Sequence, residues 1–208
     1  MTRQDQWLQG GGDLAARAVL AGLYVVLTRN ILIDYRQTGR LTGLLLLATE
    51  LLVIVFTIAR RPARRVDRSA ASLALTAMSV MGPLLVRATP GSGLLPDLAT
   101  TCLSAAGLST TIAAQVALGR SFGIIPADRG VVIAGLYKLV RHPIYAGYLI
   151  THLAFAVAHP VPWNLVVLVV ADAALVARAL REEQVLKTDG AYAAYCERVA
   201  WHLVPGVF

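Results

Sequence analysis

Two short polar stretches in an otherwise apolar chain hold the residues with chemical potential. The first reads Lys138-Leu139-Val140-Arg141-His142-Pro143-Ile144-Tyr145, and the second places Arg178 four residues before Glu182, with Arg181 and Glu183 beside them. Proline suits the first turn of a helix, where its missing N–H costs no intrahelical bond, so Pro143 predicts a helix start with His142 at its mouth. Free N–H groups and the positive end of the helix dipole favour an anion there, and Arg141 and His142 add donors for a carboxylate. Residues four apart share a helix face, so Arg178 and Glu182 present a guanidinium and a carboxylate together. Taken singly these residues have plainer readings. Arg141 and Lys138 also fit basic membrane anchors, Tyr145, Tyr148 and Trp163 interfacial aromatics, and Arg178 with Glu182 an exposed helix pair. The joint arrangement is what points to chemistry.

Apolar runs must position these groups. Hydropathy and punctuation give five or six segments: 14–27, 41–59, 70–86, 94–118, 145–158 and 161–180. The 208 residues are 57% hydrophobic and 15% charged, where a soluble domain carries roughly 25% charge. Residues 69–86, 98–119 and 143–171 contain no Asp, Glu, Lys or Arg, and such runs match the ~20 apolar residues of a bilayer span. The expectation is an all-α polytopic membrane bundle whose last two segments form a helical hairpin, followed by a cytoplasmic helical tail. Strand-like alternation is missing, which excludes a transmembrane barrel. Cys102 and Cys196 read as free thiols, and His142, His152, His159 and His202 are spaced too irregularly for a metal motif. Residues 1–13 show no cleavage-site pattern, so no removable signal peptide is expected.

The net charge of +7 does not imply a nucleic-acid partner, because the basic residues sit between membrane segments. Arg60, Arg61, Arg64, Arg65 and Arg68 follow the second segment, and the positive-inside rule places that loop in the cytoplasm. This assignment leaves only Arg29, Arg36, Arg40 and Arg87 outside and Arg17 within the first span, with both termini cytoplasmic. Segment 145–158 has 14 residues, about 21 Å of helix against a hydrocarbon core of ~30 Å. Two prolines in the turn His159-Pro160-Val161-Pro162-Trp163-Asn164 interrupt helix there, so both hairpin ends return to the cytoplasmic side. Glu50 and Asp172 are acids inside apolar segments, where ionised carboxylates are costly and often functional. The plainer readings are a protonated or interhelically bonded Glu50, an Asp172 paired across helices, and a packing or hydrogen-bonding His152. Gly39-x-x-x-Gly43 is a weak sign of helix pairing, and oligomeric state stays open.

The order Gly135-x-Tyr137-x-x-x-Arg141-His142-Pro143-x-Tyr145-x-Gly147, an apolar gap, then Arg178-x-x-x-Glu182-Glu183-x-x-Leu186, Tyr192-x-x-Tyr195 and Val204-Pro205 resembles the isoprenylcysteine carboxyl methyltransferases and the related phospholipid methyltransferases. It covers roughly residues 120–208 and suggests two regions: N-terminal transmembrane helices (1–118) and a cofactor-binding region with hairpin and tail (119–208). The resemblance implies an S-adenosylmethionine-dependent enzyme without a soluble nucleotide-binding domain, consistent with the lack of a strand leading into Gly-x-Gly-x-x-Gly. It carries cofactor contacts onto Arg129, Gly130, Val131, Val132, Tyr137, His142, Pro143, Ile144, Tyr145 and Glu182, and a substrate-side arginine onto Arg178. Arg129 stands where relatives often carry His, and Gly190 and Tyr192 are two apart where three is common. A prenylcysteine substrate is not carried over. The acceptor would be a lipophilic molecule entering from the bilayer; Arg178 would hold a carboxylate acceptor, whereas an amine acceptor would need a base such as Glu182 or Glu183. Rival readings are a membrane sterol-type reductase using a nicotinamide cofactor and a small transporter.

Overall fold

The computed structural model describes residues 3–59, 65–91, 93–121, 127–128, 131–187 and 190–208. Among them are seven α-helices: α1 (Arg3–Thr38), α2 (Thr42–Ala59), α3 (Ala70–Met81), α4 (Asp97–Leu118), α5 (Pro143–Ala158), α6 (Pro162–Leu186) and α7 (Gly190–Arg198). A single two-residue strand pair, β1 (Arg65–Val66) antiparallel to β2 (Ala127–Asp128), ties the loop after α2 to the loop after α4. The described residues are thus mainly helical, as the apolar segments predict. Arg60, Arg61 and Arg64 of the basic run lie outside the described residues.

The first helix is much longer than the apolar segment 14–27. No proline or glycine interrupts residues 28–38, so the helix continues through polar sequence until Gly39. There φ is 73° and the glycine N–H bonds to Tyr35 O at 2.8 Å, a left-handed C-terminal cap. Hydropathy marks where a helix is apolar, not where it ends. Gly43 faces Ile31, whose Cγ2 lies 3.1 Å from where a Cβ would stand. Small size at Gly43 therefore serves the α1–α2 contact within this chain.

Among the described residues two helices, α4 and α6, are long and apolar enough to cross a membrane, while Thr42–Val53, Ala70–Leu85 and Pro143–Ala158 are shorter apolar helices. The inside of the bundle mixes apolar clusters with many small and polar side chains, while the outside is apolar. On α4 the buried stripe is Thr100, Ser104, Gly107, Thr111, Ala114 and Gln115, while Leu98, Ile112 and Val116 are exposed. On α3 the buried residues are Ser72, Thr76 and Ser79, with Leu73 and Met78 outward. A soluble helix buries its large apolar side chains; this inverted pattern, with small and hydroxyl residues at the contacts, belongs to helices packed in lipid.

The closest contact joins α4 to α5. A Cβ at Gly107 would meet Thr151 Oγ1 and lie 2.8 Å from Gly147 O, and one at Gly147 would meet Thr111 Oγ1 and lie 2.8 Å from Gly107 O. Each glycine is therefore the hole into which the other helix's threonine fits. At one end of the bundle Asn164 accepts from Arg87 N (2.8 Å) and donates to Arg87 O (2.8 Å) and His159 O (3.0 Å). These bonds fix the short connection between α5 and α6. Contacts along the two helices run in reverse order, from His152 with Asp172 to Tyr145 with Glu182, so the start of α5 lies beside the end of α6.

Candidate active site

Pro143 occupies the first turn of α5 and His142 is its N-cap, with no side-chain capping bond. The first-turn N–H groups of such a helix have no intrahelical acceptor. Two residues into α5, the hydroxyl of Tyr145 donates to Glu182 Oε2 at 2.8 Å and accepts from Arg178 Nε at 3.2 Å. The Arg178 guanidinium carbon also stands 4.8 Å from the centre of the Tyr145 ring, close enough for a cation–π contact. Arg178 Nη1 donates to Ser79 Oγ of α3 at 2.9 Å. Arg178 is only 4% exposed, whereas Glu182 is half-buried. The exposed-pair reading of these two residues therefore does not hold: the arginine is a buried cation held by α3 and α5, joined to the more open carboxylate through one phenol. Tyr145 and Tyr148 are buried, which also removes the interfacial-aromatic reading for both.

Arg141 and His142 behave differently from the expectation that they offer free donors to an anion. Arg141 Nη1 donates to Glu183 Oε2 at 3.1 Å, and His142 Nε2 lies 3.0 Å from Glu183 Oε1. His202 Nδ1, from the chain's last turns, approaches the same Oε1 to 2.6 Å. Arg141 further donates to Val199 O (2.7 Å) and Cys196 O (3.1 Å), while the N–H groups of Arg141 and His142 bond to Trp201 O and His202 O at 2.9 Å each. The C-terminal residues are thus latched across the mouth of α5. One ligand atom from each of His142, Glu183 and His202 lies within 4.8 Å of the others. With Arg141 on the second oxygen, the group reads as an ion-pair network.

The remaining expected contacts surround this core. Pro143 and Ile144 are buried at the start of α5, and the His142 and Tyr145 rings stack with centroids 5.4 Å apart. Tyr137 is buried on a 3-10 turn (Gly135–Lys138), and its carbonyl accepts from Tyr195 Oη of α7 at 2.7 Å. Burial raises the Tyr137 and Tyr192 hydroxyls well above the ordinary tyrosine value and pushes Tyr195 up to about 12, so all three stay protonated. Val131 packs against Tyr192, Tyr195 and Val199, and Val132 is half-buried. Arg129 and Gly130 lie outside the described residues. Sequence reasoning missed Glu183 as the hub, His202 as its tail partner and Ser79 as the anchor of Arg178. Only Ser79 had a signal, the helical spacing of Ser72, Thr76 and Ser79.

Chemically, the arrangement offers a fixed cation, a more accessible anion and an aromatic face between them, at the start of one apolar helix and the end of another. No curated protein sequence matches the chain. Residues 93–192, which span α4, α5, α6 and the start of α7 and include Arg141, His142, Tyr145, Arg178, Glu182 and Glu183, match the family model for phospholipid methyltransferase, a match consistent with a membrane methyltransferase family.

Proposed function

We propose that the protein moves a methyl group from S-adenosylmethionine to a lipophilic acceptor at the cytoplasmic boundary of the membrane, in the manner of the isoprenylcysteine carboxyl methyltransferases. In this reading α5 and α6 form a membrane hairpin among five or six spans. Both termini are cytoplasmic. Residues 119–208 carry the cofactor contacts, and residues 1–118 supply supporting helices, α3 reaching the site through Ser79.

The observation that carries the reading is the Arg178–Tyr145–Glu182 line within the family-matched residues. Bound S-adenosylmethionine supplies an electrophilic methyl carbon on a positively charged sulfur. The residues present fit such a molecule. Glu182 is a half-buried carboxylate beside an aromatic face, suited to a cationic group. Displacement at a sulfonium needs the nucleophile held in line with the departing sulfur, so positioning is the main task. Arg178, fixed by Tyr145 and Ser79, orients the acceptor's polar head, and Glu182 holds the donor. Tyr137, His142, Pro143, Ile144 and Tyr145, with Arg129, Gly130, Val131 and Val132, enclose the cofactor.

The test is incubation of the purified protein with methyl-labelled S-adenosylmethionine and total membrane lipid, followed by mass spectrometry. A labelled lipid is expected, and its fragmentation identifies the acceptor atom. Arg178→Ala should lose at least about a hundredfold in transfer rate, the scale for removing a positioning or electrostatic group, with modest change in donor affinity by calorimetry. Unchanged turnover in Arg178→Ala would remove that residue from the mechanism. Neither the reductase nor the transporter reading draws support from the family match.

A further inference from the structure

A second polar cluster lies deeper in the bundle and shares Arg178 with the candidate active site. Its centre is His152 of α5, 3% exposed. Nδ1 is 2.6 Å from Asp172 Oδ1 of α6, while Nε2 lies 3.7 Å from Glu50 Oε1 of α2 and has no hydrogen-bond partner. An imidazole between two carboxylates in an apolar bundle is costly to assemble. A purely structural clasp would close the Glu50 side into a hydrogen bond as it does the Asp172 side. Instead Glu50 and His152 line a cavity of about 20 Å³, room for one water-sized polar group. Ser79, Tyr148 and Arg178 complete its polar lining. The unpartnered nitrogen and the guanidinium of the candidate active site thus face one small chamber.

We propose that Glu50, His152 and Asp172 form a proton-accepting relay for the methyl-transfer site, receiving through this chamber the proton that an N–H or O–H acceptor sheds on methylation. The proposal rests on the methyltransferase reading above. The acceptor's lone pair forms the new bond to the methyl carbon, the carbon–sulfur bond breaks with its electron pair staying on sulfur, and the sulfonium becomes a neutral thioether. The acceptor's proton moves to the Glu50–His152 pair and leaves by the same chamber after the product. Glu50 lines the chamber beside the Arg178 guanidinium, and Asp172 holds the other nitrogen of the imidazole. The other groups facing His152 are Tyr148, stacked on it at 6.4 Å, with Gln115 of α4 bonded to that tyrosine. Ser79 faces it from α3, and Tyr24 of α1 lies within electrostatic reach of Glu50.

The test uses the full chain in lipid nanodiscs with labelled S-adenosylmethionine and total membrane lipid, following initial rates across pH. Glu50→Gln should keep donor affinity by calorimetry, lose about a hundredfold in rate near neutrality, and recover as pH rises, because hydroxide then takes the proton. Asp172→Asn, on the more open carboxylate, gives the same readout should Glu50→Gln fail to fold. A variant profile that superimposes on that of the unaltered protein overturns the relay while leaving methyl transfer standing. A methyl ester as the lipid product also overturns it, because a carboxylate acceptor sheds no proton. If the unaltered protein labels no lipid at any pH, the methyltransferase reading itself fails and the relay with it.

Discussion

Glu182 and Glu183 are neighbours in the chain but serve opposite ends of the site. Successive residues on a helix point about 100° apart. Glu182 therefore faces Tyr145 and the more open side, while Glu183, 2% exposed, faces Arg141, His142 and His202. Removing one partner from a buried charged network costs about 3–5 kcal/mol, because the remaining charges lose their compensation. Glu183→Ala is accordingly expected to lower the unfolding midpoint in detergent sharply and to release the C-terminal residues to limited proteolysis. Glu182→Gln should leave the midpoint nearly unchanged and reduce methyl transfer. Equal loss of stability in both variants would show that the two acids do not divide structure and chemistry in this way. At this scale the sequence was informative about residue types and silent about partners. Arg178, Glu182, His142 and Tyr145 stood out because charge and aromaticity are rare in so apolar a chain. That Arg141 and His142 turn inward onto Glu183 depends on His202 and the folded tail, about sixty residues away, and no local spacing encodes it.

At the scale of elements, α4 decides where α5 sits, and hence where Tyr145 and His142 point. Gly107 and Thr111 of α4 and Gly147 and Thr151 of α5 interlock, each threonine hydroxyl also returning a bond to the glycine carbonyl one turn back at 3.0 Å. Small residues bring helices together in lipid, where apolar surface gives little drive for association. A β-branched side chain in place of either glycine has nowhere to go, and overpacking typically costs about 1–3 kcal/mol. Gly147→Val should therefore lower the unfolding midpoint and, by moving the start of α5, weaken methyl transfer. Gly22→Val, where a Cβ meets nothing within 4 Å, is the control and should change neither. Equal midpoints for the two variants would sink the argument. The helices themselves were legible from apolar runs, from Pro143 at a helix start and from the two prolines that break helix in the 159–164 turn. The crossing was not: Gly147 entered the sequence pattern without a partner, and the far end of α1 was lost because hydropathy falls before the helix does.

For the whole molecule, buried polar residues share the core with apolar clusters, and the surface carries an apolar girdle of exposed side chains such as Leu98, Val116, Val166 and Val169. In water this surface would be a liability; in a bilayer it is the expected exterior. The two free cysteines report on that arrangement from different depths. Cys102 is exposed on α4, between Leu98 and Ile112 on the apolar girdle, and Cys196 is half-buried on α7 beside the candidate site. If α7 lies in the cytoplasm, a membrane-impermeant maleimide should label Cys196 in sealed inside-out vesicles and not in right-side-out cells. Cys102, facing lipid, should react with neither preparation but should react with a membrane-permeant maleimide. Single-cysteine variants, Cys102→Ser and Cys196→Ser, assign the labels, and S-adenosylmethionine should slow the Cys196 reaction, since Arg141 holds the Cys196 carbonyl next to the proposed cofactor contacts. Labelling of Cys196 from the outer face would put the start of α5 and the end of α6 on the side where the donor is absent, and the proposed reaction could not proceed there.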